Sequence, residues 1–173
     1  MIYDPDVFKI DARMTEPLFN SSNGAKLTIP EVVSEIIAFM RAEPTRSYKI
    51  TIGTDSEIYE KTSADFVTAI VVHRIGNGGR YFWQRDELHK LYTMRDRIMQ
   101  EVIVSIETAK TVLSYLRQFD APQFDLEVHV DVGTNGTSSK MIQEVVGMVR
   151  ANNLEARTKP EAYAASSVAD RYI

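Results

Sequence analysis

At 173 residues, with 44% hydrophobic and 25% charged side chains, the chain has the length and composition of one ordinary globular domain. It is long enough to bury a core without disulfide or metal staples. The absence of cysteine excludes a disulfide framework and a thiolate metal cluster, so a metal would have to be held by oxygen or imidazole. A net charge of −4 argues against a surface coated in nucleic acid, and no apolar run approaches the roughly 20 residues of a bilayer span. The opening stretch MIYDPDVFKIDARMTEP has no basic segment followed by an apolar one, so a cytoplasmic location without a membrane partner is expected.

Residues 1–27 show no sustained period and read as an N-terminal arm, with Asn23-Gly24 as a turn and Phe8, Ile10, Leu18 and Phe19 able to pack on a surface. The domain is expected over 28–173. Thr28-Ile-Pro-Glu31 has the form of a capping box with proline in the first turn, and Val33, Ile36, Ile37 and Met40 follow at helical spacing. A helix over 29–41 is predicted, ended by Glu43-Pro44. Three β-branched runs come next, at 48–54, 65–74 and 80–85, with Gly76, Gly78 and Gly79 turning the last two. Short connections make them an antiparallel meander.

From Thr93 to Phe119 the period is helical, with Ile98, Val102, Ile106, Ala109, Leu113 and Leu116 on one stripe. A strand at 124–131, a helix at 138–151, a short strand near 154–158 and a last helix complete the order βββαβαβα. Strands alternating with helices imply parallel crossovers. The expected class is therefore α/β.

Two aspartates end apolar runs, Asp55 after YKITIGT and Asp131 after LEVHV. Carboxylates converging from separate elements are what a hydrolase with two divalent ions requires, because two Mg²⁺ ions about 4 Å apart need more negative charge than one residue supplies. The alternative is that both begin turns. Strand alternation puts Val128 and Val130 inward and His129 and Asp131 on the opposite face. The long helix carries two glutamates and only one can face the sheet. At about 100° per residue from Ile98, the apolar stripe spans roughly −40° to +80°, Glu101 falls near −60° and Glu107 near 180°. Glu101 thus borders the buried face, where a carboxylate needs a partner or a cation. Its alternative is an ion pair to Arg97 or Arg95. Asp170 lies near the end of the last helix, where a negative charge opposes the helix dipole; a salt bridge to Arg171 is the other reading.

Between His73 and Arg97 six basic residues face three acids, a local charge of +3 that leaves the remainder acidic. Arg80, Arg85, Lys90 and Arg95, with Trp83, Tyr81 and Tyr92 interleaved, could hold a phosphate backbone and stack bases, or form a solvated strand edge. The three histidines lack the i, i+4 spacing of a zinc helix, and structural or substrate-contact roles are their default. No Walker A loop, GxGxxG or GxSxG elbow occurs.

The element order and the acids resemble the RNase H-like superfamily, a five-stranded mixed sheet with three antiparallel strands followed by parallel ones, flanked by helices. Here an extra helix precedes it. By that resemblance Asp55, Glu101, Asp131 and Asp170 take the positions that bind two Mg²⁺ or Mn²⁺ ions, and Ala169-Asp170 looks like an Ala-Asp pair often found in the last helix. More narrowly, FNSSNGAKLT, IGTDSE, FVTAIVVHRIGNGGR, HVDVGTNGTSSKMIQEVVGMV and KPEAYAASSVAD resemble the YkuK-like family over residues 19–171. The resemblance implies metal-assisted hydrolysis of RNA, RNA/DNA hybrid or structured DNA, with Asp55 bridging the ions. The rival readings are an RNase H-fold binding or assembly module without the chemistry, and, ranked below it, an actin-like nucleotide-binding domain. The last rests on Asp131-Val-Gly-Thr-Asn-Gly-Thr137, which resembles the phosphate loop of actin-like kinases. Those proteins need two such domains, and this loop leads into a helix rather than a hairpin. Oligomeric state is left open.

Overall fold

The computed structural model describes residues 17–135, 137–162, 167, 168 and 171. Among these, seven strands form one sheet in the order β2-β1-β5-β4-β3-β6-β7. The strands β3 (Tyr48–Glu60), β4 (Ser63–Arg74) and β5 (Gly79–His89) are the antiparallel meander, β6 (Phe124–His129) runs parallel to β3, and β7 (Glu155–Arg157) runs parallel to β6. These are the five expected strands. The sheet is extended by a hairpin of β1 (Phe19–Ser21) and β2 (Lys26–Leu27), turned at Gly24 with φ of +84° and paired to β5 through Asn20 and Ser21. Strands of three and two residues are too short to show alternation, so the sequence presents them as the end of an arm.

Helix α1 (Ile29–Arg41) begins at the expected box: the Thr28 backbone N–H and hydroxyl both donate to the Glu31 carboxylate, at 2.8 and 2.9 Å. Helix α2 (Met94–Leu116) is capped by Thr93, whose Oγ1 accepts from the Asp96 N–H at 3.0 Å while Asp96 accepts from the Thr93 N–H at 2.8 Å. A 3₁₀ turn over Thr137–Met141 precedes α3 (Ile142–Ala151), so the helix expected over 138–151 opens with a tighter turn. The expected last helix lies outside the described residues except for Ser167 and Val168, which are helical.

These three helices pack side by side against one face of the sheet. Strand alternation sends Ile50, Ile52, Ile70, Val72, Phe82 and Val128 to meet Val33, Ile36, Met40, Val102, Ile106, Val145 and Val149, all buried. Each such side chain contributes about 1.5–3 kcal/mol of burial, which fixes the register of β3 against α2. In β3 the even positions from Tyr48 to Ser56 therefore face the helices. The odd positions from Lys49 to Asp55 face away, with Lys49, Thr51 and Gly53 in register with Asp125, Glu127 and His129 of β6. Among the described residues no helix is long and apolar enough to cross a membrane.

Candidate metal centre

The two central parallel strands have unequal lengths, and that inequality makes the site. β3 pairs with β6 as far as Gly53 opposite His129, but with β4 as far as Glu60 opposite Ser63. Asp55 is therefore not at a strand end, as the run of apolar residues implies, but inside β3, opposite Val67. Pairing across the meander carries Asp55-Ser-Glu into a strand that propensity alone would have stopped. Beyond Gly53 no described strand pairs with β3 on its β6 side. The resulting notch lies at the carboxyl end of parallel strands, where open α/β sheets collect ligands.

Glu101 enters the notch from α2. It is 6% exposed, whereas Glu107 is exposed, as the helix phase requires. Its Oε1 accepts from the Ser56 hydroxyl at 2.5 Å, and one turn on, Ser105 donates to Thr54 Oγ1 at 2.9 Å, so two hydroxyls of β3 lock the helix in register. Burial pushes the Glu101 carboxyl up to about 7; the Ser56 hydrogen bond and the Arg97 charge oppose the rise, and the Asp131 charge adds to it. Among the described residues Arg97 forms no direct ion pair with Glu101. Its Nη1 donates to the Ser56 carbonyl at 3.4 Å, and its Nε is buried without a hydrogen bond.

Asp131 stands two residues past the end of β6. The chain stays alongside β7 there, with the Val130 N–H donating to the Arg157 carbonyl at 2.9 Å and the Lys159 N–H to the Val132 carbonyl at 2.9 Å. This brings the Lys159 ammonium to 2.5 Å from Asp131 Oδ1. The same oxygen is buried and accepts no hydrogen bond, so the ammonium lies at ion-pair range but off the direction of a hydrogen bond. Beside the pair is an open cleft of about 360 Å³ lined by Gly133, Thr134, Asn135, Ser138 and Pro160. A larger hollow of about 720 Å³, between β5 and α2, reaches Phe66, Gln84 and Thr108 but none of these carboxylates.

Asp55 occupies the face opposite Thr54 and Ser56, half-buried, with its Oδ1 accepting the Ser56 N–H at 2.9 Å. Glu101 and Asp55 thus approach the open edge of β3 from its two sides. Asp170 lies outside the described residues. Among the described residues no three His, Asp or Glu side chains already converge as a metal cage. Carboxylate oxygens are the donors a divalent cation takes, but Glu101 is already held by the Ser56 hydroxyl and Asp131 by the Lys159 ammonium, which a cation would have to displace.

The basic residues expected to bind substrate are spread over both faces. Arg80 pairs with Glu35 of α1 at 2.9 Å and lies over the Phe39 ring at 5.4 Å; Arg85, on the far face, pairs with Asp65; Arg95 pairs with Glu144 of α3. Lys90 is exposed at φ of +64°, and Trp83 is half-buried on the far face, paired with Asn20 and Ala69.

One group escaped the sequence reading. Glu127, 5% exposed, is met by Lys49 Nζ at 3.2 Å, Arg157 Nε at 3.1 Å and His129 Nε2 at 3.3 Å. Burial works to raise its carboxyl, but the hydrogen bonds from Lys49, His129 and Arg157 outweigh it and hold Glu127 below the usual range. His129 is lowered by burial, against the pull of Glu127. The alternation Glu127-Val-His129-Val-Asp131 was the available signal, since it puts three polar groups on one strand face.

A twisted sheet of antiparallel meander plus parallel strands, with acids at the central strands and the first crossover helix, defines a class. The chain belongs to the ribonuclease H-like family, whose model matches residues 31–173. Within it the chain is YkuK-like: it is 32% identical over 166 residues to the "Uncharacterized protein YkuK" of Bacillus subtilis (strain 168), covering 90% of this chain and 96% of that one. Among solved structures, the PPX-GPPA enzyme of Aquifex aeolicus matches at 14% identity with a TM-score of 0.28, over 65% of this chain and 35% of that one.

Proposed function

We propose that the protein is a divalent-metal-dependent nuclease that hydrolyses phosphodiester bonds in RNA, RNA/DNA hybrid or structured DNA. The observation that carries this reading is Glu101, a carboxylate buried on the helix face and held by Ser56 beside the open edge of β3. A group in that position destabilises the fold when ionised unless a cation joins it. Asp55, Glu101 and Asp131 would hold Mg²⁺ or Mn²⁺, with Asp170 the fourth ligand by family resemblance. Two such ions, when bound, supply water activation and charge stabilisation at the leaving oxygen.

The chain's own residues supply the rest. Ser56 orients the Glu101 carboxylate, and Arg97 anchors Ser56 from α2. The cleft beside Asp131, with Thr134, Ser138 and Lys159 on its walls, gives a phosphodiester hydroxyl donors and one ammonium next to the ligands. The test is cleavage of the three substrate classes by the purified chain with Mn²⁺ or Mg²⁺, with Asp55→Asn expected to abolish it. Failure on every substrate would defeat the nuclease reading. A second reading, a binding or assembly module, is favoured by Lys159, whose ammonium already neutralises Asp131, and by the acid partners of Arg80, Arg85 and Arg95. Calorimetry without divalent-ion binding would select it.

A further inference from the structure

Lys159 faces two neighbours at once. Its ammonium lies 2.5 Å from Asp131 Oδ1, and its side chain, 57% exposed, also walls the cleft of Gly133, Thr134, Asn135 and Ser138. The backbone beneath it is fixed. Its N–H donates to the Val132 carbonyl at 2.9 Å, and its Cβ packs on Gly133, where an added Cβ would stand only 3.3 Å away. The four-carbon stem above that anchor turns about single bonds, so the ammonium can pass from Asp131 into the cleft while the chain stays still. At Asp131 the ammonium excludes a second cation, because like charges a few ångströms apart repel. An anion in the cleft has the opposite effect, offering the ammonium a charge-assisted partner beside the Thr134 and Ser138 hydroxyls.

We propose that Lys159 is a positioning residue that changes partners: its ammonium leaves Asp131 for a phosphate oxygen of nucleic acid in the cleft, so that nucleic acid and divalent ion bind cooperatively. The inference rests on the nuclease reading and adds an order of binding to it. In the metal-free chain the contact between Lys159 and Asp131 is autoinhibitory, since the chain's own cation neutralises a carboxylate of the centre. A phosphate oxygen in the cleft lifts that block through side-chain torsions alone. By linkage, ion and nucleic acid then raise each other's affinity by the same factor. With one partner more than half exposed, the ion pair limits the lysine's share of that factor to about fivefold. Phosphate oxygens that reach the ion directly add a further share, which does not depend on Lys159.

The test is calorimetry of Mn²⁺ into the full chain, with and without uncleavable analogues of the three substrate classes that carry methylene in place of the 3′ bridging oxygen. In the native chain Mn²⁺ should bind more tightly once an analogue is bound. Lys159→Met should raise the affinity for Mn²⁺ alone by up to about fivefold, lower the affinity for the analogue alone, and shrink the coupling by the same factor. Lys159→Gln is a second uncharged variant should the first fail to fold. Lys159→Arg, which keeps the charge, should retain the native pattern, whereas a role in stability alone would leave Mn²⁺ affinity and coupling unmoved in all three. Equal Mn²⁺ affinity with and without analogue in the native chain, or unchanged coupling in the uncharged variants, would overturn this inference and leave the proposed function standing. Absence of any Mn²⁺ binding, with or without analogue, would overturn both.

Discussion

Replacing Glu101 by Gln should stabilise the metal-free protein, and by an amount that depends on pH. Burial raises the Glu101 carboxyl from its ordinary value of 4.5 to about 7 on folding. Because the folded-state value is raised, the folded chain binds the proton more tightly than the unfolded chain, and stability falls as pH climbs through that interval. At about 1.36 kcal/mol per unit, the ionised form destabilises the native state by about 3 kcal/mol above neutrality and by nothing below the unfolded value. Gln keeps an oxygen that can accept from the Ser56 hydroxyl, so the variant removes the charge and leaves the packing. Urea unfolding with chelator present, followed through the single Trp83, reads the difference directly. The variant should exceed the native chain by up to about 3 kcal/mol near pH 8, with the gap closing towards pH 4.5. A constant gap across that range, or a native chain more stable than the variant near pH 8, would refute the argument. Saturating Mn²⁺ should reverse the order, since only the ionised carboxylate gains a partner.

Lys159→Met should tighten Mn²⁺ binding in calorimetry by removing the ammonium 2.5 Å from Asp131, while changing metal-free stability by no more than about 1 kcal/mol, because the lysine is largely exposed. Weaker Mn²⁺ binding would instead make Lys159 a support of the site. Gly79→Ala should destabilise the sheet by about 1–3 kcal/mol, since a Cβ there would meet the Val72 carbonyl oxygen at 2.7 Å. A thermal midpoint equal to the native one would show that the β4 to β5 turn can yield.

The fold was legible where burial imposes a period. The α2 stripe at Ile98, Val102, Ile106 and Ala109 is the buried face, and the same phase separates Glu101 from Glu107 without reference to any contact. Periodicity could not reveal features that depend on a neighbouring strand. Asp55 looks terminal because Asp-Ser-Glu has poor strand propensity, yet β4 pairs with it to Glu60 and holds it in the sheet. The β1–β2 hairpin likewise exists because the edge of β5 accepts it.

The same distinction explains why Glu127 was passed over. A strand glutamate between Leu126 and Val128 reads as solvent-facing when nothing is known of the opposite partner, and only the parallel register brings Lys49 and Arg157 around it. Once that register is fixed, the acids and the histidine of β6 have distinct roles. Glu127 is satisfied by Lys49 and Arg157 and Asp131 by the Lys159 ammonium, whereas His129 Nδ1 is buried without a hydrogen bond. The unequal length of two neighbouring strands is the feature that leaves the β3 edge open beside Ser56, where Glu101 reaches it from α2.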